Sequence, residues 1–340
     1  MTPQPRPGQP PPSQPGPAPP LVSVVIASYN HARFVEQAID SVWRQGHRPL
    51  ELIIVDDGSN DGSFELIEKL AARSPIPMTL VAQANAGPGA AFGRGVAMAQ
   101  GEWLCILASD DFYAPEFIAR NLAEAARLDG DQWVLHANAW LVEVDGRVSG
   151  TIDAIGITTP LEGDAFECLV EGGGRLLPGT MFVRRDLFLA AGGFDPTMIA
   201  EDCDLQLRLA RHARFHYIRD PIFHSRYSPA SLGKRPWLWG DSIVRALTKH
   251  EDRLGPRLPG LLAKACAKIA LSCFENGRPG DGLHWARQSL GYTRGGAARV
   301  RAAGRLTLRT TRAITRLAAY RLVGRERLVR AKRRLTGKAG

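Results

Sequence analysis

Three pairs of adjacent acids stand where carboxylates can do chemistry: Asp56-Asp57, Asp110-Asp111 and Glu201-Asp202. A carboxylate facing a ligand crevice accepts hydrogen bonds from ribose hydroxyls or base N–H groups, and a second acid beside it offers hard oxygen to a divalent cation. Such a cation bridges the phosphates of a nucleotide and neutralises charge on a departing diphosphate. A further carboxylate near the same crevice can act as general base toward a hydroxyl. Each pair also has an ordinary structural use. Asp56-Asp57-Gly58-Ser59 has the composition of a turn. Ser109-Asp110-Asp111 precedes Pro115 and Glu116 as a helix cap would, and Glu201-Asp202-Cys203-Asp204 puts acids where a helix dipole favours them. Placement decides between these uses.

The elements that must position the acids follow from the apolar pattern. Residues 21–27 (LVSVVIA) are a short, β-branched, nearly continuous apolar run, the mark of a strand buried on both faces. The polar turn Ser28-Tyr29-Asn30-His31 leads into residues 34–45, where Phe34, Ala38, Val42 and Trp43 recur at helical spacing. Residues 50–55 predict a second buried strand, 64–72 a helix and 78–83 a third strand. The glycine-rich stretch 85–95 opens another helix, and 103–107 predict a fourth strand that ends at Ser109-Asp110-Asp111. This alternation predicts an α/β fold with a mainly parallel sheet, because parallel neighbours need crossover helices. Ligands of such sheets bind beyond the carboxyl ends of the strands. Tyr29, Asp57 and Asp110-Asp111 all fall there, on three different strands.

Taken in order, the motifs resemble the family 2 glycosyltransferases of the GT-A fold. They are VSVVIASYN at 22–30, IIVDDGSNDGS at 53–63, N-x-G-x-G at 85–89, GEWLCILASDD at 101–111, GGFD at 192–195 and EDCDLQLRL at 201–209. The resemblance covers about residues 21–232. It implies a GT-A-type, Rossmann-like domain followed by a helical C-terminal region. It also implies that Tyr29 lies near the nucleotide base, that Asp57 reads the base edge with Asp56 beside it, and that Asp110 contacts the ribose. Asp111 is then the metal-binding acid, Asp202 the base that takes the acceptor's proton, and Glu201 a residue on the acceptor side. The implied reaction is inverting transfer from a nucleotide-sugar, typically a UDP-sugar, to a saccharide or lipid-linked acceptor, with Mg2+ or Mn2+ as cofactor. The chain departs from the family pattern in three places. Ala108 stands where the metal motif usually begins with aspartate. Phe92 stands where an arginine usually reaches the donor, with Arg94 two positions later. Ser228 stands where a further metal-binding histidine is common, and His224 is the nearest substitute.

Charge and punctuation divide the chain. Its net charge is +9, yet residues 294–340 alone hold 15 Lys and Arg against one acid, Glu326. Ten of the first twenty residues are proline, which removes backbone donors and cannot build a helix. The expected division is a proline-rich leader (1–20), the catalytic domain (21–232), a helical module (233–293) and a basic helical tail (294–340). Within the module, residues 237–254 and 258–276 read as helices, with Pro279-Gly280-Asp281-Gly282 as punctuation before a third at 283–290. Apolar residues interspersed with arginines in the tail suit the surface of an anionic membrane. Nucleic acid is not expected as a partner, because no recognition module accompanies the charge.

Five cysteines without a CxxC pair encode neither a disulfide framework nor a zinc site. No apolar run approaches the ~20 residues that span a bilayer, and no hydrophobic signal region is present. A cytoplasmic protein, peripheral at the inner face of the membrane, is expected. The 44% apolar content excludes a wholly disordered chain. Two rival functions are weighed. A sugar nucleotidyltransferase wants a glycine-rich, arginine-bearing loop after the first strand, which Ser28-Tyr29-Asn30-His31 is not. A degenerate, non-catalytic homologue acting as a scaffold is the other, suggested by Ala108 and Phe92.

Overall fold

The structure, a computed structural model, describes residues 18–155, 160–172, 176–227 and 235–293. The basic tail, Ser228 and all but the end of the proline-rich leader lie outside the described residues. The expected alternation opens the fold. Strands β1 (Val22–Ser28), β2 (Leu50–Asp56), β3 (Met78–Ala82) and β4 (Trp103–Ala108) are joined by helices α1 (Val35–Trp43), α2 (Ser63–Ala71) and α3 (Pro88–Met98). β1 pairs in parallel with β2 on one side and β4 on the other, and β3 adds outside β2. The register sets Ser28 opposite Asp56, Ala27 opposite Ala108, and Asp56 opposite Ala82. The carboxyl ends of four strands are therefore level, and the turns that follow them leave the sheet along one edge.

Side chains alternate between the two faces of the strands. Val25, Ile53, Leu104 and Ile106 pack with Phe92 and Val96 of α3 on one face. Val24, Ile26, Leu52, Ile54, Cys105 and Leu107 pack with Val35, Ile39 and Ile67 of α1 and α2 on the other. Gly95 lets α3 approach β1 closely; a Cβ there would collide with Val25.

Beyond β4 the sheet becomes mixed. The elements in order are β5 (Phe112–Tyr113), α4 (Phe117–Ala125), β6 (Trp133–Glu143), β7 (Val148–Thr151), α5 (Ile152–Ile155) and α6 (Phe166–Val170). Then come β8 (Phe182–Arg184), α7 (Arg185–Ala190), α8 (Glu201–Leu209) and β9 (Arg214–Tyr227). The nine strands run β3-β2-β1-β4-β8-β6-β9-β5, with β7 on β6. β8 is antiparallel to both β4 and β6, while β9 is parallel to β6 and antiparallel to β5. This last pairing sets His224 opposite Phe112 and so carries the end of β9 to the Asp110-Asp111 turn.

The helical region differs from expectation in two details. The single helix expected over 237–254 is two, α9 (Pro236–Thr248) and α10 (Glu251–Leu254), because buried His250 leaves helical geometry between them. After α11 (Leu258–Glu275), the expected punctuation at Pro279-Gly280-Asp281-Gly282 is the first turn of α12 (Pro279–Tyr292). Proline is tolerated there because the first helical N–H has no internal partner. Leu247, Leu254, Leu258 and Leu261 share one core with Phe166, Leu205 and Leu209. None of the five cysteines forms a disulfide. No helix among the described residues is long and apolar enough to cross a membrane.

Candidate active site

The turn after β2 uses its two aspartates differently. Asp56 accepts hydrogen bonds from the Ser59 backbone N–H at 2.9 Å and from the Ser59 hydroxyl at 2.6 Å. It serves its own turn. Asp57, also buried, faces the end of β3. Its Oδ1 accepts from Gln83 Nε2 and from the Ala86 N–H, each at 2.8 Å, and its Oδ2 accepts from the Gly87 N–H at 2.9 Å. Asp57 therefore latches the loop that leads into α3. Two residues on, a Cβ at Gly89 would stand 3.1 Å from the Asp195 carbonyl and 3.3 Å from Glu201 Cβ. The N-x-G-x-G motif is thus the contact between the D-D-G-S turn and the start of α8.

Tyr29 is 46% exposed on the turn after β1. In the turn after β4, Asp110 Oδ2 lies 3.9 Å from His31 Nε2. Asp111 Oδ1 accepts the Arg226 backbone N–H at 2.7 Å. Burial, and then the neighbouring Asp110, push the Asp111 carboxyl well above the usual carboxylate range, against the opposing pull of Arg226. Arg226 is a site residue that motif reading missed. Its Nε donates to the Asp110 carbonyl at 2.9 Å, its Nη2 donates to Gln37 Oε1 at 2.7 Å, and its guanidinium lies 4.5 Å from the Phe34 ring centre. The only sequence signal is a cation two residues after His224, and it gains meaning only when β9 pairs with β5.

Among the described residues, no three His, Cys, Asp or Glu side chains converge as a metal-binding group. Asp111 and His224 do not form one. The His224 ring stacks on Phe112 at 4.3 Å, and its buried Nδ1 has no hydrogen-bond partner. The donor set nevertheless suits one mode of holding a cation. Mg2+ and its analogues are commonly held by one or two carboxylates together with substrate phosphates. Asp111, costly as a buried anion and adjacent to Asp110, fits that mode.

At the start of α8, G-G-F-D and E-D-C-D are tied together by two cations. Arg208 pairs with fully buried Asp204 at 2.7 Å and donates to the carbonyls of Gly193, at 2.6 Å, and Ala191. Gly192 and Gly193, with φ of 88° and 61°, supply the left-handed turn this requires. Lys249 on α9 bridges Asp195 at 2.7 Å and Asp204 at 2.9 Å. Asp195 and Asp204 thus fix the motif loops, while Glu201 and Asp202 stand in the first turn of α8. Phe92, in the place of the family's arginine, is buried against Phe194 at 5.4 Å. Arg94 instead donates to the Ala82 carbonyl at 3.2 Å, beside Gln83 and hence on the Asp57 side.

Burial, and then Asp202, push the Glu201 carboxyl up to about 8. The folded protein then holds a proton that the unfolded chain releases near 4.5. The stability this group contributes is full below pH 4.5 and is lost as pH rises through about 8. Glu201→Gln is expected to match the parent near pH 5 and to exceed it by about 1–3 kcal/mol above pH 8. Thermal unfolding across that range checks it; parallel curves for the two proteins would refute the assignment.

The sequence matches glycosyl transferase family 2 over residues 23–139. An uncharacterized glycosyltransferase of Nostoc sp. is 42% identical over 99 residues, which span 29% of this chain and 31% of that relative. The chain thus spans about a third of that relative's length. Among solved structures, residues 1–349 of Staphylococcus aureus TarS in complex with UDP-GlcNAc superpose with a TM-score of 0.54 at 18% identity, covering 79% of this chain and 87% of that one. A mannosyltransferase, PcManGT of Pyrobaculum calidifontis, in complex with GDP-Man and Mn2+, superposes with a TM-score of 0.56 at 19% identity, covering 90% and 88%. With its ordered motifs and its mixed sheet of the GT-A type, the chain is similar to glycosyl transferase family 2 over residues 23–139.

Proposed function

We propose that this chain transfers a sugar from a nucleotide-sugar, most simply a UDP-sugar, to a hydroxyl of a saccharide or lipid-linked acceptor in cell-envelope glycan synthesis. One observation carries the proposal. The parallel register levels the ends of β1, β2 and β4, so that Tyr29, Asp57 and Asp110-Asp111 leave the sheet along one edge. Gly89, two residues beyond the loop that Asp57 holds, then meets Glu201 at the start of α8.

In this site Tyr29 packs beside the base, and Asp57 accepts a base N–H on Oδ2, which carries one protein donor against two on Oδ1. Asp56 keeps the turn that presents Asp57. Asp110 accepts from the ribose. Asp110 and Asp111 would hold a Mg2+ or Mn2+ ion, which when bound neutralises charge on the leaving diphosphate. Glu201, protonated at neutral pH, lines the acceptor side as a hydrogen-bond donor. Asp202 takes the proton of the acceptor hydroxyl as its oxygen forms the bond to the anomeric carbon and the bond to the diphosphate breaks. One displacement on the face opposite the leaving group inverts that carbon. A place at the cytoplasmic face of a membrane, with the basic tail 294–340 as the contact, completes the proposal; that tail lies outside the described residues.

Binding of UDP and GDP measured by calorimetry with Mn2+, followed by hydrolysis of a panel of nucleotide-sugars, tests the reading. Binding of one nucleotide and turnover of its sugar conjugates are expected. No binding of any nucleoside diphosphate would overturn the enzyme in favour of a scaffold protein. Pyrophosphate release from a nucleoside triphosphate and a sugar phosphate would identify a nucleotidyltransferase.

A further inference from the structure

His31 has no part in the chemistry above, yet it touches all three donor-side turns. Its backbone is fixed by two of them. Its N–H donates to Ser63 Oγ at 3.0 Å, and its carbonyl accepts from Phe34 and Val35 at the start of α1. On either side, the Asn30 N–H donates to Ser59 Oγ at 2.9 Å and the Ala32 N–H donates to Asp61 Oδ2 at 3.0 Å. Asn30 takes the left-handed φ of 53° that turns the chain toward the site. The ring reaches the third turn, with Nδ1 2.8 Å from the hydroxyl of fully buried Ser109 and Nε2 3.9 Å from Asp110 Oδ2.

The tautomer follows from these neighbours. The Asp110 carboxylate on the Nε2 side favours the hydrogen on Nε2, since the reverse tautomer would turn a lone pair toward it; Nδ1 then accepts from the Ser109 hydroxyl. The ring remains 32% exposed, open to the edge where a nucleotide would lie.

We propose that His31 is a donor-side positioning residue, whose ring, held at Nδ1 by Ser109, keeps the Asp110 carboxylate turned toward the bound nucleotide. This rests on the assignment of Asp110 to nucleotide binding. At 3.9 Å the pair is an oriented attraction rather than a fixed hydrogen bond. Asp110 is therefore steered without being used up.

Substitutions separate the two ends of the ring. The amide of asparagine reaches about as far as Nδ1, and that of glutamine about as far as Nε2. UDP or GDP, whichever the parent binds, is titrated by calorimetry in Mn2+ into the full-length parent and its His31→Ala, His31→Asn, His31→Gln and Asp110→Ala variants. Donor KM and kcat are measured beside thermal unfolding. His31→Ala is expected to weaken nucleotide binding and raise donor KM about tenfold, with kcat little changed. His31→Gln should restore most of this and His31→Asn little. Equal rescue by asparagine would place the role at Ser109 and overturn the proposal. So would lowered thermal stability with unaltered affinity, or an effect of Asp110→Ala without one of His31→Ala, both of which leave the site assignment standing. An unaffected Asp110→Ala variant, or a parent that binds no nucleoside diphosphate, would remove the site assignment itself and the proposal with it.

Discussion

Asp202→Asn is expected to leave donor binding unchanged while lowering transfer by about 10²–10⁴-fold, the range of a lost general base. The two acids in the first turn of α8 are not equivalent. Burial holds the proton on Glu201 up to about pH 8, and in the proposed mechanism it is Asp202 that accepts the acceptor's proton. Asparagine keeps the shape of aspartate and one acceptor oxygen, puts an NH2 donor in place of the other, and cannot take up the proton. Calorimetry with the donor nucleotide and single-turnover transfer separate the two effects, since chemistry and binding are then read independently. Transfer within tenfold of the parent would refute the assignment. A comparable loss in Glu201→Gln alone would move the base one residue back.

Asp111→Asn should change stability and function in opposite directions. In the absence of nucleotide and cation, the carboxylate is disfavoured by burial and by Asp110. An asparagine oxygen can still accept the Arg226 N–H now held at 2.7 Å. The parent's stability falls as pH rises through the raised Asp111 value, because the folded state binds the proton more tightly. The variant should therefore unfold at higher temperature at pH 8, by an amount on the order of 1–2 kcal/mol, with the gap narrowing in acid. It should also lose the added stability that UDP with Mn2+ confers on the parent, and lose transfer by roughly 10³-fold or more. Stability given up at a functional group is a common arrangement. Undiminished dependence of nucleotide binding on Mn2+ in the variant would remove Asp111 from the site.

The sequence by itself determined the four parallel strands and the side of the sheet on which the candidate site residues lie. Residues 21–27, 50–55, 78–83 and 103–107 lie within one residue of β1 to β4 at each end. A buried parallel strand is written in a short run of β-branched residues, and a crossover helix in the 3.6-residue period between two such runs. Once the strands are parallel, their carboxyl ends must lie on one edge, so the placement of Tyr29, Asp57 and Asp110-Asp111 along that edge was legible.

Tertiary structure decided what each side chain does there. β6, β8 and β9 pair across long separations, and β9 holds Pro221 and several charges that mask its pattern. Only that pairing brings Arg226 behind Asp110-Asp111. Asp56 and Asp57 are adjacent and chemically identical, yet one closes its own turn and the other holds the loop before α3. Phe92 became a core residue because Phe194, far along the chain, lies against it. Periodicity and turn composition are properties of a dozen neighbouring residues. Hydrogen-bond partners, burial and the proton on Glu201 depend on groups that meet only after the chain has folded.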